Sequence, residues 1–153
     1  MSILDKFEVI THSPSETKNL GERLSLLLTK GDVLSLIGEL GSGKTTFIQG
    51  IASGLSISEP VNSPSFSLLN IYKGKIPLYH FDLYRIKEDE DIGFDDFLVL
   101  GGVCVIEWGE KAVSFLPEQY LKISLSHIDE NSRRFLFIPK GKHFIELVNK
   151  LDK

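Results

Sequence analysis

The sequence predicts an α/β fold in which a central, mostly parallel β-sheet carries flanking helices and an antiparallel hairpin. Residues 33–37 form a short, mostly apolar predicted strand, and the unbroken apolar run 103–106 is typical of a central strand buried on both faces. Apolar residues recur at helical spacing between the predicted strands, and a glycine-rich loop joins the strand at 33–37 to one of these helices. With 153 residues, the chain is expected to form a single domain over 1–153.

The elements of the first half follow from local signals. Residues 7–10 form a predicted strand, and Ser13-Pro14-Ser15-Glu16 is a capping box with proline at the first helical position. Leucines at helical spacing continue this helix toward Gly31, which is the expected C-cap. After the strand at 33–37 and its loop, a second helix is predicted over 45–55.

The second half begins with a loop at 62–67. Predicted strands at 68–72 and 75–84 form a hairpin around Lys73-Gly74, and the acidic stretch 88–96 is a loop or a short helix. After the buried strand at 103–106, the remaining predictions are a short helix at 112–116, strands at 121–126 and 133–138, and a helix at 142–151.

Composition excludes some classes of protein. The formal net charge is −4 with scattered basic residues, whereas an independent nucleic-acid binder usually carries a basic face. The longest apolar runs are far shorter than a membrane span, and the first ten residues lack the pattern of a secretory signal, so we expect a cytoplasmic protein without a membrane association. Cys104, the single cysteine, is expected to be a buried structural thiol.

The glycine-rich loop has the spacing of a phosphate-binding P-loop. It reads Gly38-Glu39-Leu40-Gly41-Ser42-Gly43-Lys44-Thr45 and lies between a strand and a helix, which is the context that the motif requires. Its backbone N–H groups and the helix N-terminus favour a triphosphate, with Lys44 at the β- and γ-phosphates and the Thr45 hydroxyl on Mg²⁺. The P-loop predicts binding of a nucleoside triphosphate with Mg²⁺.

Hydrolysis also needs a carboxylate near the metal, and two candidates follow predicted strands. Glu107 ends the buried run 103–106, in the position of a Walker B acid, although a surface carboxylate would have the same spacing. Period-two geometry puts His80, Asp82 and Tyr84 on one face of their strand. If that face is directed at the phosphates, Asp82 reaches the metal and its two neighbours support it; an exposed strand face is the alternative.

Ser63-Pro64-Ser65-Phe66 follows the P-loop helix by a loop. Its hydroxyls have the position of switch I elements, which present Ser or Thr to Mg²⁺ and the γ-phosphate, but an ordinary turn has the same composition.

These blocks together resemble the TsaE (YjeE) family of bacterial ATPases. The resemblance covers most of the chain and rests on four motifs in the family's order: Gly38 to Thr46, Val61-Asn62-Ser63-Pro64-Ser65-Phe66, His80-Phe81-Asp82-Leu83-Tyr84-Arg85 and Ile106-Glu107-Trp108. Glu39 and Ser65 stand where the family commonly has Asp and Thr, and both keep the functional group.

The resemblance implies a P-loop NTPase fold and a set of site residues. Asp82 and Glu107 serve the metal and the attacking water, with Lys44 as the third catalytic residue. Thr45 and Ser65 complete the metal site, and Trp108 completes the family's Glu-Trp pair. The nucleotide-binding residues implied are Glu39, Leu40, Gly41, Ser42, Gly43, Lys44, Thr45 and Thr46, with Thr17 and either Arg133 or Arg134 from more loosely matching stretches.

The resemblance also implies a function. TsaE proteins hydrolyse ATP in support of N6-threonylcarbamoyladenosine formation next to the anticodon of tRNA. They act with a TsaB–TsaD pair and do not transfer the group themselves. The acidic net charge agrees with tRNA contact only through such partners.

Three other interpretations are open. Asn149-Lys150-Leu151-Asp152 spells the guanine-reading NKxD motif of GTPases, but it lies in a predicted helix instead of at a strand end. A small-molecule kinase needs a lid with arginines, and the stretch after Asp82 offers only Arg85. A nucleotide-gated binding module, in which hydrolysis is incidental, fits the same residues.

Overall fold

The computed structural model describes residues 6–39, 42–61, 68–87, 90 and 92–152. Its strands are β1 (Phe7–Thr11), β2 (Val33–Ile37), β3 (Leu69–Tyr72), β4 (Leu78–Asp82), β5 (Val103–Glu107), β6 (Tyr120–His127) and β7 (Arg133–Lys140). Its helices are α1 (Pro14–Ser25), α2 (Lys44–Gly54), α3 (Phe94–Leu98) and α4 (Lys142–Leu151), with a 3₁₀ helix at Gly109–Phe115. Among these described residues, no helix is long and apolar enough to cross a membrane.

All seven strands form one mixed sheet in the order β1-β7-β6-β2-β5-β4-β3. The four central strands β6, β2, β5 and β4 are parallel, while β3, β7 and β1 each pair antiparallel with a neighbour. The predicted α/β class and the β3–β4 hairpin are confirmed. The prediction of a mostly parallel sheet holds only for the central strands, because three of the pairings between described strands are antiparallel.

Two apolar layers cover the sheet. On one face, α1, α2 and α4 bury their apolar stripes against residues such as Leu34, Leu36 and Val105. On the other face, α3 and the 3₁₀ helix pack against Phe81 and Ile106. Successive residues of β2, β4 and β5 point to opposite layers, so these strands are mostly apolar, and β5 is apolar throughout from Val103 to Ile106.

Cys104 belongs to the second layer, as expected for a structural thiol. It is 1% exposed, and burial raises the pKa of its thiol to about 12.

Close packing holds α1 beside α2. A Cβ atom on Gly21 would lie 2.4 Å from the Phe47 carbonyl oxygen, and one on Gly50 would lie 2.1 Å from the Lys18 carbonyl oxygen. The two helices therefore touch backbone to backbone, a separation that only glycine permits at these positions. This packing fixes α1 against the helix that follows the P-loop.

The predicted N-cap Ser13 is confirmed, although Glu16 accepts from the residue before the cap, and α1 is shorter than predicted. The Glu16 N–H donates to Ser13 Oγ at 3.1 Å, and the His12 N–H donates to Glu16 Oε1 at 3.1 Å. The helix ends at Ser25 and not near Gly31. Gly31 instead has φ +90° in the turn before β2, where its N–H donates to the Gly102 carbonyl at 2.8 Å.

The boundaries of two later elements also differ from the prediction. β4 begins at Leu78 and ends at Asp82, so the predicted strand 75–84 is too long at both ends. The short helix before Pro117 is a 3₁₀ helix that begins at Gly109, three residues earlier than predicted. A Cβ on Gly109 would lie 1.8 Å from Ser35 Oγ, so this helix start is pressed against β2.

Candidate functional site

The candidate site lies at the edge where the parallel strands end, which we call the carboxyl edge. Gly38 follows the last residue of β2, and Glu107 and Asp82 are the last residues of β5 and β4. Glu107 pairs in register with Leu36 on one side and with Asp82 on the other. Side chains paired in this way point to the same face of a parallel sheet. Both predicted carboxylates therefore share the face on which α2 packs.

The glycine-rich loop begins at this edge with Gly38, which is closely packed against β6. A Cβ on Gly38 would lie 2.8 Å from the Leu125 carbonyl oxygen at the end of β6. The Ser42 N–H donates to the Glu39 carbonyl at 3.1 Å, and Gly43 has φ +97° as the N-cap of α2. Glycine has no side chain that could accept a hydrogen bond, so the N-cap residue does not cap the first N–H groups of α2. Such a helix start attracts anions.

Lys44 is buried between three kinds of partner. Its Nζ donates to the Gly38 carbonyl at 2.7 Å, lies 3.9 Å from Glu107 Oε1, and lies 4.5 Å from the centre of the Trp108 ring. Burial lowers the pKa of Lys44, while the charges of Glu107, Asp82 and Glu110 act in the opposite direction. The side chain is 5% exposed. A buried cation with so little solvent favours an anionic ligand.

Glu107 forms a buried pair with His80. The distance from His80 Nε2 to Glu107 Oε2 is 2.6 Å, and the two side chains are 1% and 5% exposed. The expectation that His80 supports Asp82 is therefore wrong, because β4 and β5 lie side by side and the histidine reaches across to the neighbouring strand. His80 is also not part of an exposed strand face.

Asp82 is half-buried and accepts a hydrogen bond from its own turn. The Tyr84 N–H donates to Asp82 Oδ1 at 3.0 Å. Tyr84 lies beyond the end of β4 and is 51% exposed, so its side chain does not share the strand face of His80. It supports Asp82 through its backbone.

A cluster of aromatic and basic side chains lies beside this carboxylate turn, and sequence reasoning did not predict it. The Trp108 and Tyr84 rings are 5.2 Å apart. Lys111 Nζ lies 5.7 Å from the Trp108 ring and donates to the Tyr84 carbonyl at 2.6 Å. Trp108 has φ +60°, an uncommon conformation for a residue with a side chain. This backbone turn directs the chain from β5 into the 3₁₀ helix, and no signal in the sequence indicates it.

Thr17 and Arg133 also lie at the carboxyl edge. Thr17 is buried, and its Oγ1 is 2.7 Å from Oγ1 of Thr11, the last residue of β1. Thr11 pairs in register with Arg133. The Arg133 side chain lies beside Gly43, because a Cβ on that glycine would lie 3.4 Å from Arg133 Cγ. Arg134 lies on the neighbouring position and forms an exposed ion pair with Glu8.

The remaining predicted residues fall into two groups. Glu39 is exposed, while Thr45 and Thr46 are half-buried in the first turn of α2. Leu40, Gly41 and Ser65 lie outside the described residues, as does the whole predicted loop 62–67, which includes the proposed switch I segment Ser63-Pro64-Ser65-Phe66. The predicted nucleotide and metal roles of all these residues stay predictions.

The residues present fit a magnesium-bound triphosphate. Buried polar atoms without a hydrogen-bond partner among the described residues include Ser42 Oγ in the P-loop and Arg133 Nε beside it. The described residues contain no group of three or more His, Cys, Asp or Glu side chains that could enclose a metal by themselves. Mg²⁺ does not need such a cage, since it is held by one or two protein ligands together with phosphate oxygens and water.

Comparisons with known proteins show the family to which the chain belongs. Residues 11–135 match the family model described as threonylcarbamoyl adenosine biosynthesis protein TsaE. The chain belongs to the TsaE family. A TsaE protein of Bacillus subtilis (strain 168) is 39% identical over 145 residues, covering 94% of this chain and 92% of the relative. A TsaE protein of Treponema pallidum is 42% identical over 127 residues, covering 81% and 94% of the two chains.

The fold is also similar to that of a solved structure. The crystal structure of Bacillus subtilis YdiB superposes with a TM-score of 0.83 at 31% identity, covering 99% of this chain and 97% of that one.

The NKxD sequence lies away from the site. Asn149-Lys150-Leu151-Asp152 occupies the end of α4, where the Leu151 carbonyl accepts a hydrogen bond from Arg23 in the last turn of α1. Thr17, near the carboxyl edge, is in the first half of that helix. Guanine recognition requires the motif at a strand end, so this position does not favour a GTPase.

Proposed function

We propose that this TsaE-family chain is a single-domain P-loop ATPase that binds ATP with Mg²⁺ and hydrolyses it in support of tRNA threonylcarbamoyladenosine biosynthesis. One observation carries the proposal: the P-loop lysine and the carboxylate that ends β5 lie 3.9 Å apart, buried at the carboxyl edge. In open α/β sheets, ligands bind at this edge. A buried cation and a buried carboxylate next to a helix N-terminus supply both phosphate binding and water activation.

The roles follow from the positions of the side chains. Backbone N–H groups of the loop from Glu39 to Thr46 bind phosphate oxygens, and Lys44 neutralises the β- and γ-phosphates. Thr45, with Asp82 or Glu107, holds Mg²⁺, and Ser65 is a further proposed ligand. When bound, Mg²⁺ neutralises the charge that develops on the phosphates.

Glu107 is the proposed residue that orients the attacking water. Its carboxylate lies between Lys44 and His80, with 4% of the residue exposed, so it cannot rotate freely into solvent. A fixed carboxylate next to the terminal phosphate accepts the proton of the water that attacks it. Asp82, at the same register on β4, is then available to the metal.

The proposed partners are TsaB and TsaD. A chain with a net charge of −4 is poorly suited to bind tRNA alone, so tRNA contact is proposed only through these partners. ATP turnover would then act on the partner complex, which carries out the transfer of the threonylcarbamoyl group.

The experiment compares ATP and GTP hydrolysis by the purified chain, with and without Mg²⁺, and with and without a TsaB–TsaD pair. Phosphate release is measured at saturating nucleotide, and binding is measured separately by titration calorimetry. We expect Mg²⁺-dependent hydrolysis with ATP preferred and with stimulation by the pair.

Other results would refute specific parts of the proposal. A preference for GTP would favour the GTPase interpretation, and transfer of phosphate to a small acceptor would favour a kinase. Tight ATP binding without turnover, even with the partners, would leave a nucleotide-gated binding module.

A further inference from the structure

The two oxygens of Glu107 have different partners. Oε2 lies 2.6 Å from His80 Nε2, and Oε1 lies 3.9 Å from Lys44 Nζ. The first distance is that of a short, charge-assisted hydrogen bond, whereas the second is too long for a hydrogen bond. One oxygen is therefore held by the histidine, and the other is directed toward the P-loop lysine.

The surroundings of His80 indicate which of its two ring nitrogens carries the proton. Its Nδ1 atom is buried and has no hydrogen-bond partner among the described residues. A proton on Nδ1 would leave a buried donor unsatisfied, whereas a proton on Nε2 is donated to Glu107. The arrangement therefore favours the ring with its proton on Nε2, which is donated to Glu107.

We propose that His80 is a positioning residue: it holds Glu107 Oε2 so that Oε1 is the oxygen presented to the water that attacks the terminal phosphate. The inference rests on the proposed ATPase function. A glutamate side chain has three rotatable bonds, and a hydrogen bond from a histidine on the neighbouring strand removes much of that freedom. Hydrogen bonds of this supporting kind are worth about 10- to 100-fold in activity at metal sites.

A second histidine–carboxylate pair in the chain provides a contrast. His143 Nε2 lies 2.9 Å from Asp32 Oδ1, just before β2 and therefore at the opposite edge of the sheet. The other oxygen of Asp32 accepts the Thr29 N–H at 2.8 Å, so one oxygen holds the local turn and the other holds α4. Glu107 differs because its second oxygen faces the P-loop lysine. The same chemical pair is structural at one edge and is proposed to be functional at the other.

The test compares His80→Phe with His80→Gln, and uses His143→Phe as the matched control. Phe keeps most of the ring volume without a donor, while the Gln amide nitrogen reaches about as far as His Nε2. We expect H80F to lower kcat for ATP by about 10-fold or more while the affinity for ATP changes by less than about threefold. H80Q should restore most of the turnover, and H143F should match the wild type.

His80→Asn keeps the experiment decisive if H80F does not fold. The Asn amide is too short to reach Glu107, so H80N should lose turnover that H80Q retains, at similar thermal midpoints. A readout without turnover is the NMR spectrum of ¹⁵N-histidine-labelled protein, in which the His80 signals are assigned by their loss in H80Q. We expect a proton on Nε2 and a changed Nε2 environment in Glu107→Ala.

Three results would overturn the inference alone: turnover by H80F and H80N equal to that of the wild type, equal losses in H80Q and H80N, or a His80 ring without a proton on Nε2. Absence of hydrolysis by the wild type, alone and with partners, would overturn the proposed function and this inference with it.

Discussion

Replacing Glu107 tests whether this carboxylate activates water, and the structure indicates which substitution to use. Glu107→Ala would leave His80 Nε2 without its buried hydrogen-bond partner and would remove the carboxylate 3.9 Å from Lys44 Nζ. An unsatisfied buried polar group costs about 1–3 kcal/mol, so a loss of activity in this variant could reflect a loss of stability. Glu107→Gln keeps an oxygen that accepts from His80 and removes only the negative charge. We therefore expect E107Q to unfold at nearly the wild-type temperature and E107A to unfold well below it.

The expected effect of E107Q on hydrolysis is large. A positioned general base contributes about 10²- to 10⁴-fold, and an amide cannot accept the proton of water, so turnover should fall by about 100-fold or more. ATP affinity should be at least as high as in the wild type, because the variant lacks a negative charge next to Lys44. Phosphate release gives turnover, titration calorimetry gives affinity, and a thermal melt controls for stability.

ATP hydrolysis by E107Q within about threefold of the wild-type rate would refute a catalytic role for Glu107. In that case the catalytic role moves to Asp82, and Asp82→Asn should show the loss instead. A weaker affinity for ATP in E107Q would also contradict the electrostatic argument, because it would mean that the carboxylate assists nucleotide binding.

Three further predictions concern other parts of the molecule. Lys44→Ala should abolish ATP binding in titration calorimetry, since the phosphates lose their main compensating charge, and retained tight binding would contradict this. Gly50→Ala should lower the free energy of unfolding by about 1–3 kcal/mol in chemical denaturation, because the new Cβ would lie 2.1 Å from the Lys18 carbonyl oxygen; an unchanged midpoint would show that α1 and α2 separate easily. Burial raises the pKa of the Cys104 thiol to about 12, so from about pH 9 the unfolded chain releases a proton that the folded chain keeps. Relative to Cys104→Ala, wild-type stability should therefore fall by roughly 1 kcal/mol between about pH 8 and pH 10, and a constant difference would argue against this burial effect.

Local signals predicted most of the elements, and they failed where tertiary contacts set the boundary. The capping box at Ser13 gives the start of α1 because its hydrogen bonds join residues three or four apart. The end of α1 is not local: Gly31 donates its N–H to Gly102, which is distant in sequence. The 3₁₀ helix likewise starts at Gly109 because that residue packs on Ser35 of β2.

The residues of the candidate site also differ in whether local sequence signals or tertiary contacts determine their positions. A strand, a loop with the P-loop spacing and a helix are consecutive in the chain, so a phosphate-binding role for Lys44 could be predicted before any fold was known. Glu107 could be proposed because it ends an unbroken apolar run. The partner of His80 could not be predicted, because period-two geometry gives the face of a side chain but not the strand next to it.

By itself, the sequence determined the α/β class, the spacing of the glycine-rich loop and the family resemblance, because each depends on the order and spacing of neighbouring residues. Only the tertiary structure decided that the sheet is mixed, that His80 pairs with Glu107 and that Trp108 lies against Lys44. These features depend on which strands lie side by side and on where each strand ends. Strand order is set by the burial of the whole apolar surface and not by any single segment.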